Sequence, residues 1–422
     1  MAFPKLHKNI QVRILTSFLS RLLGAMIYPF MAIYFSGHFG SKFAGILLLI
    51  GVWMQIVVGF YGGYLADKMG RKKIMSVGII IQLITFIFMA LANSPILDSA
   101  WLTLIMFTIN GASGGLVYPA TSALLIDSST LENRTFMFSI QYWTGNVSFM
   151  IGSLLGGFYF EQYRFELFSG LAVCTAFTLI LTVYVMTDSY VPKKVIGKVH
   201  VIKDIVHSYK VVVKDKAFMY FIFATVFLWS MESHSANFIA VRLVKEFKTE
   251  AVQFFHFASI EVTGYKLIGF LNTENATLVV LFGIFISSWI RNKDMKNILY
   301  ISILMYFIGY IVLSYSNSLW LIFIVGLILT FGEMFSTPIA HTYESEMMDE
   351  TARGSYSAIG SFGGNLTQLA GAIGLTLYGW IGGYGMAAVI AVCGVCSFYF
   401  FHTSLKIHAE NKMLKQKAMA LK

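Results

Sequence analysis

Gly63-Tyr64-Leu65-Ala66-Asp67-Lys68-Met69-Gly70-Arg71-Lys72-Lys73 is a short charged break between two long uncharged runs, residues 43–66 and 74–97. A helix needs about 20 mainly apolar residues to cross a bilayer, and each run is long enough. Further uncharged runs lie on either side: 22–41, 99–126, 135–160 and 167–187, then 217–231, 275–290, 297–332 and 354–405. The turn residues Ser316-Asn317-Ser318 divide 297–332, and Gly382-Gly383-Tyr384-Gly385 divides 354–405. Residues 217–241 form one span interrupted by Glu232, and the short run 275–290 is expected to begin its helix earlier, near Lys266–Phe270. The expected fold is therefore an all-α integral membrane protein with twelve transmembrane helices. It divides into a six-helix bundle at 1–187, a cytoplasmic linker at 188–216 and a second six-helix bundle at 217–422.

Composition supports this reading. Hydrophobic residues make up 57% of the 422 and charged residues 12%, too little charge to wet a soluble globule of this size. With 38 Phe, 22 Tyr and 7 Trp against 6 Pro, disorder is excluded. The runs are continuously apolar, whereas barrel strands alternate apolar with polar. Lys and Arg set the orientation. With the N-terminus inside, 24 of the 31 Lys and Arg fall in inner segments, six in outer ones, and Arg21 lies within span 1. A multi-pass cell-membrane protein with both termini in the cytoplasm follows. The net charge of +10 is then a topology signal rather than a nucleic-acid face. The first apolar stretch is long and follows the polar Met1–Arg13, so it reads as a retained helix. Cys174, Cys393 and Cys396 all fall inside spans, where the Cys393-x-x-Cys396 pair reads as small apolar filler rather than a metal or redox pair.

The two halves match each other. Pro119, Asp127, Arg134, Asn146 and Gly152 recur as Pro338, Glu346, Arg353, Asn365 and Gly371, all at one offset. Two six-span halves in the same orientation imply a pseudo-twofold axis along the membrane normal, which is a transporter plan with alternating access. The linker holds a stretch, Val199–Val213, that reads equally as an interfacial helix or a solvated tether.

The loop Gly63–Lys73 matches the signature loop of the major facilitator superfamily. Its glycines permit a sharp turn and close helix approach. Asp67 can face the positive N-terminus of a neighbouring helix, and Arg71 can reach Asp127 at the cytoplasmic end of span 4. Gly63, Asp67, Gly70, Arg71, Asp127 and Arg134 form a candidate conformational latch. Span 5 carries Gly145, Gly152, Gly156 and Gly157, which looks like the glycine motif of drug–proton antiporters with Ser153 in place of the usual Pro. The whole chain resembles the drug–proton antiporter branch, and most closely the LmrP-type multidrug transporters. The resemblance rests on Gly62–Lys73, Ile126-Asp127 with Glu132-Asn133-Arg134, Tyr142-Trp143 with Asn146, and Gly332-Glu333 with Thr337-Pro338. It implies export of lipophilic, often cationic compounds against proton entry. Two positions depart from the pattern. No Lys or Arg occurs between Lys73 and Arg134, and Gln141 stands where LmrP-type relatives carry an acid.

An ionisable residue inside a span is costly and marks a functional site. Glu333, at the centre of span 319–347, is the first proton-coupling candidate. Glu333, Thr337, Ala340 and Glu344 share one helical face, taken to line the cavity. Glu232, in the outer half of span 7, is the second acid candidate. His234 and His341 read as satisfied polar contacts. Arg21 either partners a cavity acid or snorkels to the cytoplasmic surface. Tyr28, Tyr118, Tyr142, Trp143 and Trp229 can stack on flat or cationic ligands. With Gln141, Asn146, Glu333 and Thr337 they make up the candidate substrate-binding set.

An enzyme is not expected: Gly111-x-Ser113-x-Gly115 lies mid-span rather than on a strand–turn–helix. No phosphate-binding loop is present, and no cofactor or metal is expected. The expected partners are small lipophilic substrates, protons and the lipid bilayer, with no nucleic acid, and the protein is expected to be a monomer. A symporter of a polar nutrient such as a sugar or peptide is the competing reading. Its cavity should hold more hydrogen-bonding groups than these spans offer.

Overall fold

The structure, a computed structural model, describes residues 6–187, 212–254, 258–290, 293–348 and 353–420. The linker stretch Val199–Val213, which reads equally as an interfacial helix or a solvated tether, falls almost wholly outside the described residues. Thirteen α-helices run in chain order among them: α1 Lys8–Ala25, α2 Met31–Phe39, α3 Ser41–Met69, α4 Arg71–Ala92, α5 Ala100–Asp127, α6 Leu131–Tyr159, α7 Arg164–Tyr184, α8 Lys216–Ser233, α9 Ala240–Glu246, α10 Gly264–Ile290, α11 Met295–Leu313, α12 Leu319–Met347 and α13 Arg353–Ala420. In hydrocarbon the helix satisfies its own backbone, so long apolar runs have no better conformation. Among the described residues, eight candidate spans meet the length and apolarity needed to cross a membrane.

The breaks have local causes. Gly40, Gly70 and Gly382 take positive φ of 78°, 100° and 65° with extended ψ, a region essentially reserved for glycine that costs other residues about 1–3 kcal/mol. Gly70 separates α3 from α4 inside the charged loop, and Gly382 interrupts α13 within the expected 382–385 turn. Span 1 begins at Lys8, well before the uncharged run. It bends at Tyr28-Pro29-Phe30, a single 3₁₀ turn. Polar side chains start several helices. Ser99 accepts from Leu102 N and Asp215 from Phe218 N. Thr130 and Asn133 form a reciprocal capping box.

The segment after span 7 differs most from expectation. α8 stops at Ser233, residues Ser235–Ile239 form a π turn, and α9 follows. A β-hairpin then pairs Glu250–Phe254 with Ala258–Val262. Val252 faces Ile260 across it and Ala251 faces Glu261, so polar and apolar residues alternate as a half-covered ribbon requires. α10 starts at Gly264, a few residues before the expected Lys266–Phe270. Lys245 of α9 donates to Ser36 (3.2 Å) and Ser41 (2.9 Å) beside the Gly40 turn. Burial lowers its pKa, and Glu246 opposes the shift.

By contact the chain forms two compact units, Met1–Val195 with Ala240–Val280, and Ile196–Ile239 with Leu281–Lys422. The first thus takes in α9, the hairpin and the start of α10, which a division by sequence repeat assigns to the C-terminal bundle. Its core gathers Ala66, Ile74, Met75, Ile79, Val117, Ala120 and Met186. In the second, Phe221 meets Phe401 edge-on, and Ser397 and Ser404 donate to carbonyls of Ala224 and Ala217, locking α13 to α8.

Small residues decide how near the helices come. A Cβ on Gly152 of α6 would strike Leu22 O and Ala25 of α1. A Cβ on Gly371 of α13 would strike Ser233 and Asn237 at the end of α8. These two glycines are partners in the sequence repeat, and each lets the first helix of its own half pass against the fifth. Gly157 lies against the backbone of Tyr265 and Gly269 on α10.

Gly115 and Gly114 are neighbours with opposite surroundings. A Cβ on Gly115 would lie 2.7 Å from Gln55 O and Gly59 N of α3, whereas Gly114 has nothing within 4 Å. Gly115→Ala is expected to cost about 1–3 kcal/mol through overpacking, while Gly114→Ala is expected to be neutral or stabilising. Melting temperatures in detergent check this, and equal values for the two variants would refute it.

Candidate functional site

At the charged loop, α4 begins directly after Gly70, so Arg71 projects from its first turn. Its guanidinium forms an ion pair with Asp127, the last residue of α5, and donates to Ala123 O at 2.7 Å. Lys72 donates to Val183 O of α7 (2.8 Å). Asn9 closes the same end of the unit: its amide donates to Thr187 O (2.8 Å) and Ser128 Oγ (3.1 Å) and accepts from Thr187 N. The Arg71–Asp127 contact read from the sequence is thus present. The surroundings of Gly63 and the side chains of Asp67 and Arg134 lie outside what the structure describes.

The in-span acids of the second unit lie together. Glu232 sits one residue before the end of α8. Its side chain is exposed, although much of the surrounding volume is protein. Tyr306 of α11, fully buried, donates its hydroxyl to Glu232 Oε2 at 3.1 Å. Tyr310, one turn further on, packs edge-on against Tyr306 with ring centroids 5.4 Å apart. Glu333, half-buried at the centre of α12, is near enough for its charge to act on Glu232 and on both tyrosines. Two carboxyl groups and two phenols from three helices therefore share one environment. Together they present several oxygen atoms, which can accept hydrogen bonds or ligate a small cation.

The rest of the expected face is divided. Thr337 and Glu344 are half-buried, but Ala340 is sealed at 1% exposure and lines no open space. Glu344 is drawn towards His341, 3.4 Å away, and Gly360. The ring of His341 also approaches Trp229 of α8 at 6.0 Å. His234 is buried against Phe238 and Gly374, and its Nδ1 has no hydrogen-bond partner among the described residues. The expectation of a satisfied polar contact therefore fails for that atom. Tyr118, Tyr142 and Trp143 are exposed, Gln141 is half-buried, and Asn146 turns its amide back onto Tyr142 O of its own helix. Tyr28 donates to Asn110 Oδ1 (3.2 Å), whose amide donates in turn to Thr85 (2.9 Å).

Sequence reasoning did not single out Tyr306, Tyr310, Asn110 or Glu274. Glu274 lies in α10 with Oε2 buried and unpartnered among the described residues. The cost of an in-span acid would have found it, but the uncharged run starts one residue later. Tyr306 and Tyr310 carry only an i, i+4 signal inside an apolar run, which is too common to notice. No group of three or more metal-ligating side chains occurs among the described residues, and the three cysteines are free thiols.

The sequence profile described as Major Facilitator Superfamily matches residues 14–372. A Na(+), Li(+), K(+)/H(+) antiporter of Planococcus maritimus is 27% identical, with 94% of this chain and 96% of that protein aligned. Multidrug resistance protein MdtH of Baumannia cicadellinicola is 24% identical, over 84% of this chain and 80% of its own. Among solved structures, a POT family transporter in complex with 5-aminolevulinic acid superposes with a TM-score of 0.73 at 15% identity. That match covers 96% of this chain and 100% of the other. The nucleoside transporter NupG gives 0.68 at 16% identity, covering 94% and 99%. These structural likenesses show the fold.

Arg71 and Asp127 are partly solvent-accessible, so their attraction is screened. A double-mutant cycle with Arg71→Ala and Asp127→Ala is expected to give a coupling of about 0.5–1 kcal/mol in unfolding from mixed micelles. Additive single effects would show that the pair contributes nothing.

Proposed function

The chain belongs to the Major Facilitator Superfamily, and from that premise we propose that it is a proton-coupled exporter of lipophilic compounds of the LmrP type. The observation that carries this reading is the grouping of Glu232, Glu333, Tyr306 and Tyr310 within one unit. A proton entering from outside loads Glu333, with Glu232 beside it. Neutralising one acid removes the repulsion between the two and shifts the balance between outward- and inward-open states. The cargo leaves unchanged, so no enzymatic step is needed. The relatives named as multidrug resistance proteins support this class at low identity.

The moving parts are the bundles 1–187 and 217–422, joined by 188–216 as tether. Gly63, Asp67, Gly70, Arg71, Asp127 and Arg134 act as the cytoplasmic latch, and the ion pair of Arg71 with Asp127 is its described part. Tyr28, Tyr118, Gln141, Tyr142, Trp143, Asn146, Trp229 and Thr337 contact the cargo. The protein sits in the cell membrane with both termini in the cytoplasm, as the distribution of Lys and Arg favours, and works as a monomer.

A second reading has its own support. Two carboxylates beside a phenol form an oxygen-rich set suited to a small monovalent cation, and the Planococcus relative is named as an alkali-cation/proton antiporter. The two readings are compatible at one site, because cation and proton would compete for the same oxygens.

Inverted membrane vesicles energised with a proton gradient test both. Wild type is expected to accumulate ethidium and to lose the gradient on adding NaCl if alkali cations also exchange. Glu333→Gln is expected to abolish gradient-driven ethidium transport, and Glu232→Gln to reduce it at least tenfold. Full transport by Glu333→Gln would refute the role given to that acid.

A further inference from the structure

Arg21 has neither of the two fates that its sequence position suggests. It lies about 20 Å along α1 from Lys8, at roughly 1.5 Å per residue. Its guanidinium rests on Gly145 of α6: a Cβ there would collide with Nη1 and lie 3.3 Å from Cζ. Gly145 is the central residue of Leu131–Tyr159, hence about 21 Å from either end. The charge therefore sits at mid-membrane depth and does not snorkel. It has no acid either. Among the described residues Arg21 makes no hydrogen bond or ion pair, and the charge that acts with it is another cation, Arg13, eight residues earlier on α1. The helices packed on α1 add none: α6 is uncharged from Thr135 to Tyr159 and α7 from Leu167 to Tyr184.

The side chain of Arg21 is nonetheless exposed. A cation at this depth persists where water or an anion reaches it. Towards the outer end, Tyr28 folds its ring over Gly24, whose missing side chain makes room. Tyr28 is 43% exposed although protein surrounds it, and its hydroxyl is committed to Asn110. What it offers an incoming molecule is therefore the ring. A planar fork of donors, with an aromatic ring seven residues further along the chain, suits an acid group on a lipophilic body long enough to reach both.

We propose that the first unit holds an anion-recognition site, in which Arg21, seated on Gly145, binds the carboxylate or sulfonate of an amphipathic substrate whose apolar part lies on Tyr28. This deepens the exporter reading and rests on it for the direction of transport, but the site itself is defined by binding. Arg13, nearer the cytoplasm by about 12 Å, draws the anion in from that side. A phospholipid headgroup shares this chemistry, although the depth of Arg21 disfavours it.

The test is binding of carboxyfluorescein and of ethidium to the purified full chain in detergent, by fluorescence anisotropy. Arg21→Gln is expected to lower the ratio of carboxyfluorescein to ethidium affinity tenfold or more, and Arg21→Lys to lower it less. Gly145→Ala, which keeps the charge but pushes the guanidinium off its seat, is expected to lower carboxyfluorescein affinity several-fold. It serves as the test if Arg21→Gln fails to fold. No carboxyfluorescein binding by wild type, an unchanged ratio in Arg21→Gln, no effect of Gly145→Ala, or displacement of the dye by phosphatidylglycerol would each overturn the proposal. Carboxyfluorescein bound but never transported would instead count against the exporter reading alone.

Discussion

Hydrocarbon offers no hydrogen bonds, and everything in this structure answers to that. The backbone must satisfy itself, which turns each apolar run into a helix. Every charge inside a span must find water, a partner or a proton. The chain therefore keeps most of its charge at the helix ends and between helices, and admits a handful of ionisable groups at depth. Those exceptions are arranged rather than scattered. The second unit groups Glu232 and Glu333 around Tyr306 and Tyr310. The first holds Arg21 against Gly145 with no acid in reach among the described residues.

With lipid on the outside as apolar as the side chains within, close packing must come from shape. Glycine supplies it. Gly115 lets α3 and α5 touch through their backbones, and Gly152 and Gly371 let α1 meet α6 and α8 meet α13. The same residue type then serves the site directly. Gly145 leaves the space in which the Arg21 guanidinium rests, and Gly24 the space for the Tyr28 ring. Small residues thus act both as packing surfaces and as the floor on which functional groups are held.

Much of this was legible from residue order. The turns at 316–318 and 382–385, the reach of Arg71 to Asp127 and the paired positions Gly152 and Gly371 all follow from local rules: turn residues, loop length and repeat offset. The hairpin at 250–262 was not legible, because a short alternating ribbon is drowned by the surrounding apolar signal. The π turn after α8 was missed for a related reason, since periodicity does not register one extra residue in a turn. Ala340 shows the limit of a helical face: it shares an arc with Glu333 and Thr337, yet it is buried where they are half-exposed.

Hydropathy and charge placement determined that this chain crosses the membrane many times, and the repeat and the charged loop determined which family it joins. Those properties depend on each residue's own transfer energy and on its neighbours in sequence, so no coordinates are needed to read them. Which acids lie together, and which cation has no acid beside it among the described residues, was decided only by tertiary structure. Tyr306 reaches Glu232 across 74 positions of chain, and Arg21 finds Gly145 from another helix altogether. Electrostatic interaction depends on distance in space, and the linear order of residues does not contain that distance.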